Sequence, residues 1–133
     1  MKTIITYVSI LISFAVFDSL WLALIAKDFY AKQLGFLFAK SVNFIPVLVF
    51  YPLYSLGVLL LAVIPALNSG SWLEALWRGA LIGLIAYAAY DLTNHATIAN
   101  WPTVVTIVDI AWGAFVTASV SLVSYFVINL IYT

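Results

Sequence analysis

The sequence predicts an all-α integral membrane protein: a four-transmembrane-helix bundle with short links. Three observations carry that prediction. Hydrophobic residues make up 66% of the 133-residue chain and charged residues only 8%, against about 25% charged in soluble domains. The apolar residues fall into four runs, each near the length of about 20 residues that a helix needs to cross a bilayer. The pieces between the runs are short, and an open sheet of four strands would leave edge groups without partners in lipid. A single transmembrane domain over residues 1–133 is expected, with no separate soluble module.

The first span is expected at Ile4–Ala26. It contains Asp18 and lacks a small-x-small cleavage site, so it reads as a retained helix and not a signal peptide. The second, Phe44–Leu67, has Pro46 in its first turn, Pro52 in its interior and Pro65 at its exit. A kink is expected at Pro52, freeing a carbonyl near Leu48. The third, Trp72–Leu92, opens with Ser71-Trp-Leu-Glu74, a capping box, and Glu74 can pair with Arg78 one turn on. The fourth, Thr103–Ile131, follows Pro102, whose missing N–H costs nothing at a helix start. Gly79-Ala-Leu-Ile-Gly83 matches the small-residue pattern for close helix packing and is read as an intramolecular contact. The first link carries Lys27, Lys32 and Lys40, against Lys2 and Arg78 on the other side. That asymmetry favours the link side as cytoplasmic.

Several function classes drop out. The formal net charge is zero, so no basic field argues for nucleic acid. With no cysteine and one histidine, disulfides, thiolate catalysis and iron–sulfur sites are excluded, and zinc and haem lack a ligand set. The His-rich boxes of a di-iron membrane oxidase are missing. So are a Gly-x-Ser-x-Gly elbow, an HExxH helix and a phosphate-cradling loop.

What remains is carboxylates. Four spans must alternate in direction, so the end of the first, the start of the second, the end of the third and the start of the fourth share one side. Asp18 lies roughly 12 Å and Asp109 roughly 9 Å below that side at about 1.5 Å per residue. Asp91 sits near the end of the third span, on the same side. The three acids are therefore expected in one half of the membrane. Gly83, Tyr87, Asp91 and His95 step by four and share a face if the third helix continues that far. Asn94 and Thr93 flank that face. Asp18 and Asp109 each have a tryptophan three residues on, Trp21 and Trp112, while Tyr51, Tyr54 and Asn43 come from the matching half of the second span. A carboxylate facing hydrocarbon costs several kcal/mol, so the acids are expected to face inward. Any one alone could simply pin helices by hydrogen bonding; His95 alone reads best as a capping or interfacial residue.

At these residues the sequence resembles a family of small bacterial inner-membrane proteins of unknown function. The resemblance covers nearly the whole chain. Its most specific piece is Tyr90-Asp91-Leu92-Thr93-Asn94, with Ala96-Thr97 and Trp101-Pro102. Supporting pieces are Asp18 with Trp21-Leu22, Tyr30 with Gln33-Leu34-Gly35, Phe50-Tyr51 with Tyr54, and Asp109-Ile-Ala-Trp112-Gly113. Position 95 stands outside the pattern, so the resemblance implies no role for His95. It implies a multi-spanning protein of the bacterial inner membrane and brings no activity, substrate or cofactor.

Three functions fit these residues. In the first, a carboxylate-lined intramembrane pocket of Asp18, Asp91 and Asp109, with tyrosine and tryptophan walls, binds or transports a small ligand, cation or proton. Four short helices make a small transporter unless they form a homo-oligomer. In the second, a membrane-embedded enzyme acts on a lipid or isoprenoid-like substrate, its acids serving as general acid and base. No cofactor is assigned by the sequence. If a metal binds, Asp18, Asp91 and Asp109 are the ligands on offer, suited to a hard cation such as Mg²⁺ or Mn²⁺. In the third, the acids assemble a structural or accessory subunit.

Overall fold

The computed structural model describes residues Met1–Thr133. It is all-helical. Of 103 backbone hydrogen bonds, 95 lie within helices, so backbone polarity is satisfied internally, as lipid requires. Helix α1 spans Lys2–Leu20 and ends in a π-helical turn, Trp21–Ile25. After a break at Ala26 comes α2, Lys27–Leu34, then a 3-10 turn, Gly35–Leu37. Helix α3, Phe44–Val58, runs through a π-turn at Leu59–Val63 into α4, Ile64–Ser69. Helix α5 spans Trp72–Thr97 and α6 spans Thr103–Tyr132.

Three continuous stretches, Lys2–Ile25, Phe44–Ser69 and Thr103–Tyr132, are long and apolar enough to cross a membrane by length and composition. The fourth expected span, α5, is diluted by Glu74, Arg78, Asp91, Asn94 and His95. Its 26 residues still reach about 39 Å at 1.5 Å per residue, more than the roughly 30 Å hydrocarbon layer. It packs antiparallel along α6 over most of its length. The first link is not featureless, because α2 occupies much of it. The third span runs five residues beyond the expected Leu92, to Thr97, which puts Asn94 and His95 on the helix.

Pro65 lies inside the second span and does not end it. Lacking an N–H, it cannot bond the carbonyl of Leu61 one turn back. The chain widens to π geometry there, and Arg78 Nη1 donates to the Leu61 oxygen at 3.3 Å. Helix α3 continues through Pro52, which has no N–H for the Leu48 carbonyl one turn back, and the carbonyl of Pro52 itself accepts from the Tyr7 hydroxyl at 2.8 Å. Gly70, at φ 68°, closes α4 in the left-handed region. Ser71 Oγ then accepts from the Glu74 amide at 3.3 Å, which is half of the expected capping box. The Glu74 carboxylate turns instead to Ser69 and to Arg78 Nε, the latter at 2.7 Å. Ser71→Ala is expected to cost about 1 kcal/mol, read from thermal unfolding in detergent against the wild type.

Small residues bring α5 against α6. A Cβ on Gly79 would lie 2.7 Å from the Thr117 carbonyl oxygen, and one on Gly83 would lie 1.9 Å from that of Gly113. The expected close contact is thus intramolecular. An apolar core of Ile10, Phe14, Val58, Leu59, Val116 and Val120 fills the half of the bundle next to the α4–α5 turn. In the other half the first turns of α3 stand away from the bundle, with residues 41–50 all exposed. The bundle is closed at one end and splayed at the other.

Candidate functional site

The three buried acids collect in the splayed half. Asp18 is 7% exposed, Asp109 9% and Asp91 0%, so all three acids face inward as expected. The Gly83–Gly113 approach sets their register. With α5 and α6 antiparallel and nearly touching there, Tyr87 lies over Gly113, and one turn further Asp91 meets Asp109. The Asp91 and Asp109 carboxyls are neighbours across the α5–α6 contact, and neither oxygen of Asp91 has a hydrogen-bond partner. Ionised carboxyls only accept hydrogen bonds. Their contact becomes a bond only with a proton between them.

Asp18 is served by two other helices. The Tyr51 hydroxyl of α3 donates to its Oδ2 at 2.6 Å, and Trp112 Nε1 of α6 donates to its Oδ1 at 3.3 Å. Asp109 receives the Tyr30 hydroxyl of α2, which in turn accepts from Trp21 Nε1 at 3.2 Å. The two D-x-x-W motifs are therefore exchanged between antiparallel helices. Trp112, from the Asp109 motif, binds Asp18. Trp21, from the Asp18 motif, reaches Asp109 through Tyr30. The two indoles stack between them, 4.2 Å apart and 7° from parallel. The shared helix face that the spacing suggested is real, yet each tryptophan serves the other helix's acid.

Asp18, Trp21, Tyr51, Tyr87, Asp109 and Trp112 line one cavity of about 290 Å³, completed by side chains that include Tyr30 and Tyr90. Asp91 lies behind Asp109, outside that wall. No three Asp, Glu or His side chains are grouped so as to hold one metal ion, so the three acids do not form a common ligand set.

The remaining sequence candidates stand apart. Thr93 is exposed and bonds back to its own helix at the carbonyls of Ala89 and Tyr90, at 2.5 and 3.0 Å. Asn43 caps α3, accepting from the Ile45 amide at 3.1 Å. Asn94 is half-buried beside Tyr90. His95 is exposed, with Thr106 3.3 Å from Nδ1 and Thr103 3.4 Å from Nε2, a brace for the α5–α6 turn. Residue order alone does not single out Tyr30 as a partner of Asp109, although it falls within a piece of the family resemblance. Its signal was the spacing Tyr30–Leu34, which puts both on the inner face of a short amphipathic helix between lysines.

A family model described as "Predicted membrane protein (DUF2177)" matches residues 3–126. The chain belongs to that family. The match runs from the first turn of α1 into the last third of α6, so it includes every residue of the carboxylate cluster. Its description agrees with a multi-pass membrane protein and assigns no activity. No curated protein and no solved structure matches the chain.

Proposed function

We propose that this protein, in a bacterial inner membrane, binds or transports a proton, cation or small ligand at the pocket lined by Asp18 and Asp109, with Asp91 backing Asp109 from behind the wall. The observation that carries the reading is the Asp91–Asp109 contact without a basic partner. The one ion pair within the chain is Arg78–Glu74, at the opposite end of α5. Adjacent like charges in a poorly hydrated site repel strongly, and a buried charge is tolerated only when compensated. Something positive must therefore be taken up, and a proton or a cation from outside the chain fits. The other titratable groups near the pair are Asp18, Tyr30, Tyr87 and Tyr90, and His95 one turn beyond Asp91, whose ring nitrogens face Thr103 and Thr106 and which makes no ion pair with either acid.

The test is thermal unfolding in detergent across pH and added cations, on wild type and on Asp91→Asn. The wild type is expected to shift by several degrees, since ligands that bind only the folded state move the melting point. The Asn variant, which keeps its shape and folds, is expected to lose most of that response. A melting point indifferent to pH and cations would refute the reading. An Asp91→Asn response equal to wild type would favour the accessory role, in which the acids serve assembly alone.

A further inference from the structure

The splayed start of α3 opens a second space. Between α1 and α3 runs a groove of about 670 Å³. Its walls include Leu11, Ala15 and Leu22 on one side and Val47 and Leu48 on the other, and Asp18 is its only charged residue. Leu11 to Ala23 spans roughly 18 Å of helix at 1.5 Å per residue, about the thickness of one hydrocarbon leaflet. The volume falls in the range of about 300–1,000 Å³ typical of small-molecule sites. Leu48 on its rim is 72% exposed, so the groove opens sideways into the bilayer.

Asp18 and Tyr51 line both this groove and the inner cavity. They form the partition between lipid and the carboxylate cluster. Asp18 accepts two neutral donors, from Tyr51 and Trp112, out of roughly four lone-pair positions on a carboxylate. No cation of the chain reaches it. A phospholipid seated normally keeps its headgroup at the surface, roughly 12 Å above Asp18. The complementary molecule is one whose positive charge itself lies within the hydrocarbon layer.

We infer that the α1–α3 groove admits amphiphilic organic cations laterally from the bilayer, with the apolar body along Leu11, Ala15, Val47 and Leu48 and the positive centre on Asp18. This rests on the carboxylate-pocket reading and names the ligand class of that pocket. The charge complements Asp18, the apolar walls match the body, and the opening matches a compound that partitions into lipid.

The test uses two hydrophobic ions of one shape and opposite charge, tetraphenylphosphonium and tetraphenylborate, with the protein in lipid nanodiscs and binding followed by calorimetry. The cation is expected to bind in preference to the anion. Asp18→Asn retains an oxygen for Tyr51 and Trp112 and is expected to weaken cation binding by about tenfold or more. Leu48→Trp fills the groove without touching the carboxylate and is expected to weaken it similarly, with helical content unchanged. Equal binding of both ions, or an undiminished cation affinity in both variants, would overturn the inference. If tetraphenylphosphonium fails to bind while the melting point still responds to pH or small cations through Asp91, the pocket stands and the lipophilic occupant falls. If neither response is seen, both readings fall.

Discussion

Gly83→Ala lowers stability by about 3 kcal/mol, at the upper end of the usual cost of overpacking. The added methyl would lie 1.9 Å from the Gly113 carbonyl oxygen and 2.6 Å from its carbon. Both are backbone atoms, so no rotamer can move aside, and α5 must separate from α6 along its length. The control is Gly57→Ala in α3. A Cβ there meets nothing within 4 Å, so the helix propensity of alanine makes that change neutral or stabilising by up to about 1 kcal/mol. Thermal unfolding of the two variants in the same detergent checks the contrast. Equal stabilities would mean that the helices do not approach as described. The Gly83 change also carries a functional consequence. The same contact sets Asp91 against Asp109, so a Gly83→Ala protein that still folds is expected to lose much of the pH response assigned to that pair.

Tyr30→Phe costs about 2 kcal/mol and loosens α2. The hydroxyl is the only neutral donor to Asp109 and the acceptor for Trp21. Its loss leaves Asp109 facing only Asp91. Hydrogen bonds to charged groups contribute about 1.5–3 kcal/mol, and a buried group left unpaired costs a similar amount. Leu34, Trp101 and Val105 form a small apolar cluster with Phe29 and Tyr30 against it, so α2 keeps part of its anchor. The expected result is a lowered melting point together with faster proteolytic cutting within residues 27–43, while the rest of the bundle resists. Unchanged cutting would show that the tyrosine does not hold α2 down. In a double-mutant cycle, Tyr30→Phe and Trp21→Phe are expected to be non-additive, because they belong to one chain of bonds.

The level of the three acids was legible in the sequence. It needed only the span count and the rule that successive helices reverse direction, because helical rise converts residue number into depth. Partner choice was not legible. Asp18 and Trp21 are three residues apart on one helix, and that spacing says they share a face. It does not say that the indole passes its own acid to reach Tyr30, since that depends on how α1 is rotated against α6. Thr93 shows the same limit. Its place in a polar motif suggested the pocket, but its hydroxyl satisfies itself on its own helix, which a threonine in a helix readily does. Tyr30 was hidden for a further reason. Its segment is too short and too polar to be recognised by hydropathy, so a helix that completes the cluster read as a link.

By itself the sequence determined the apolar, all-helical character of the chain, the three long apolar helices with α5 as a more polar fourth, the helix-opening Ser71 and the grouping of the acids in one half of the bundle, because composition, period and depth depend only on residue order. Tertiary structure decided that Asp91 pairs with Asp109, that the two tryptophans are exchanged, and that α3 splays to leave Asp18 between a lipid-facing groove and an inner cavity. Those outcomes depend on helix rotation and closeness. Both are governed by which small residues meet across an interface, here Gly83 and Gly113, and no single helix carries that information.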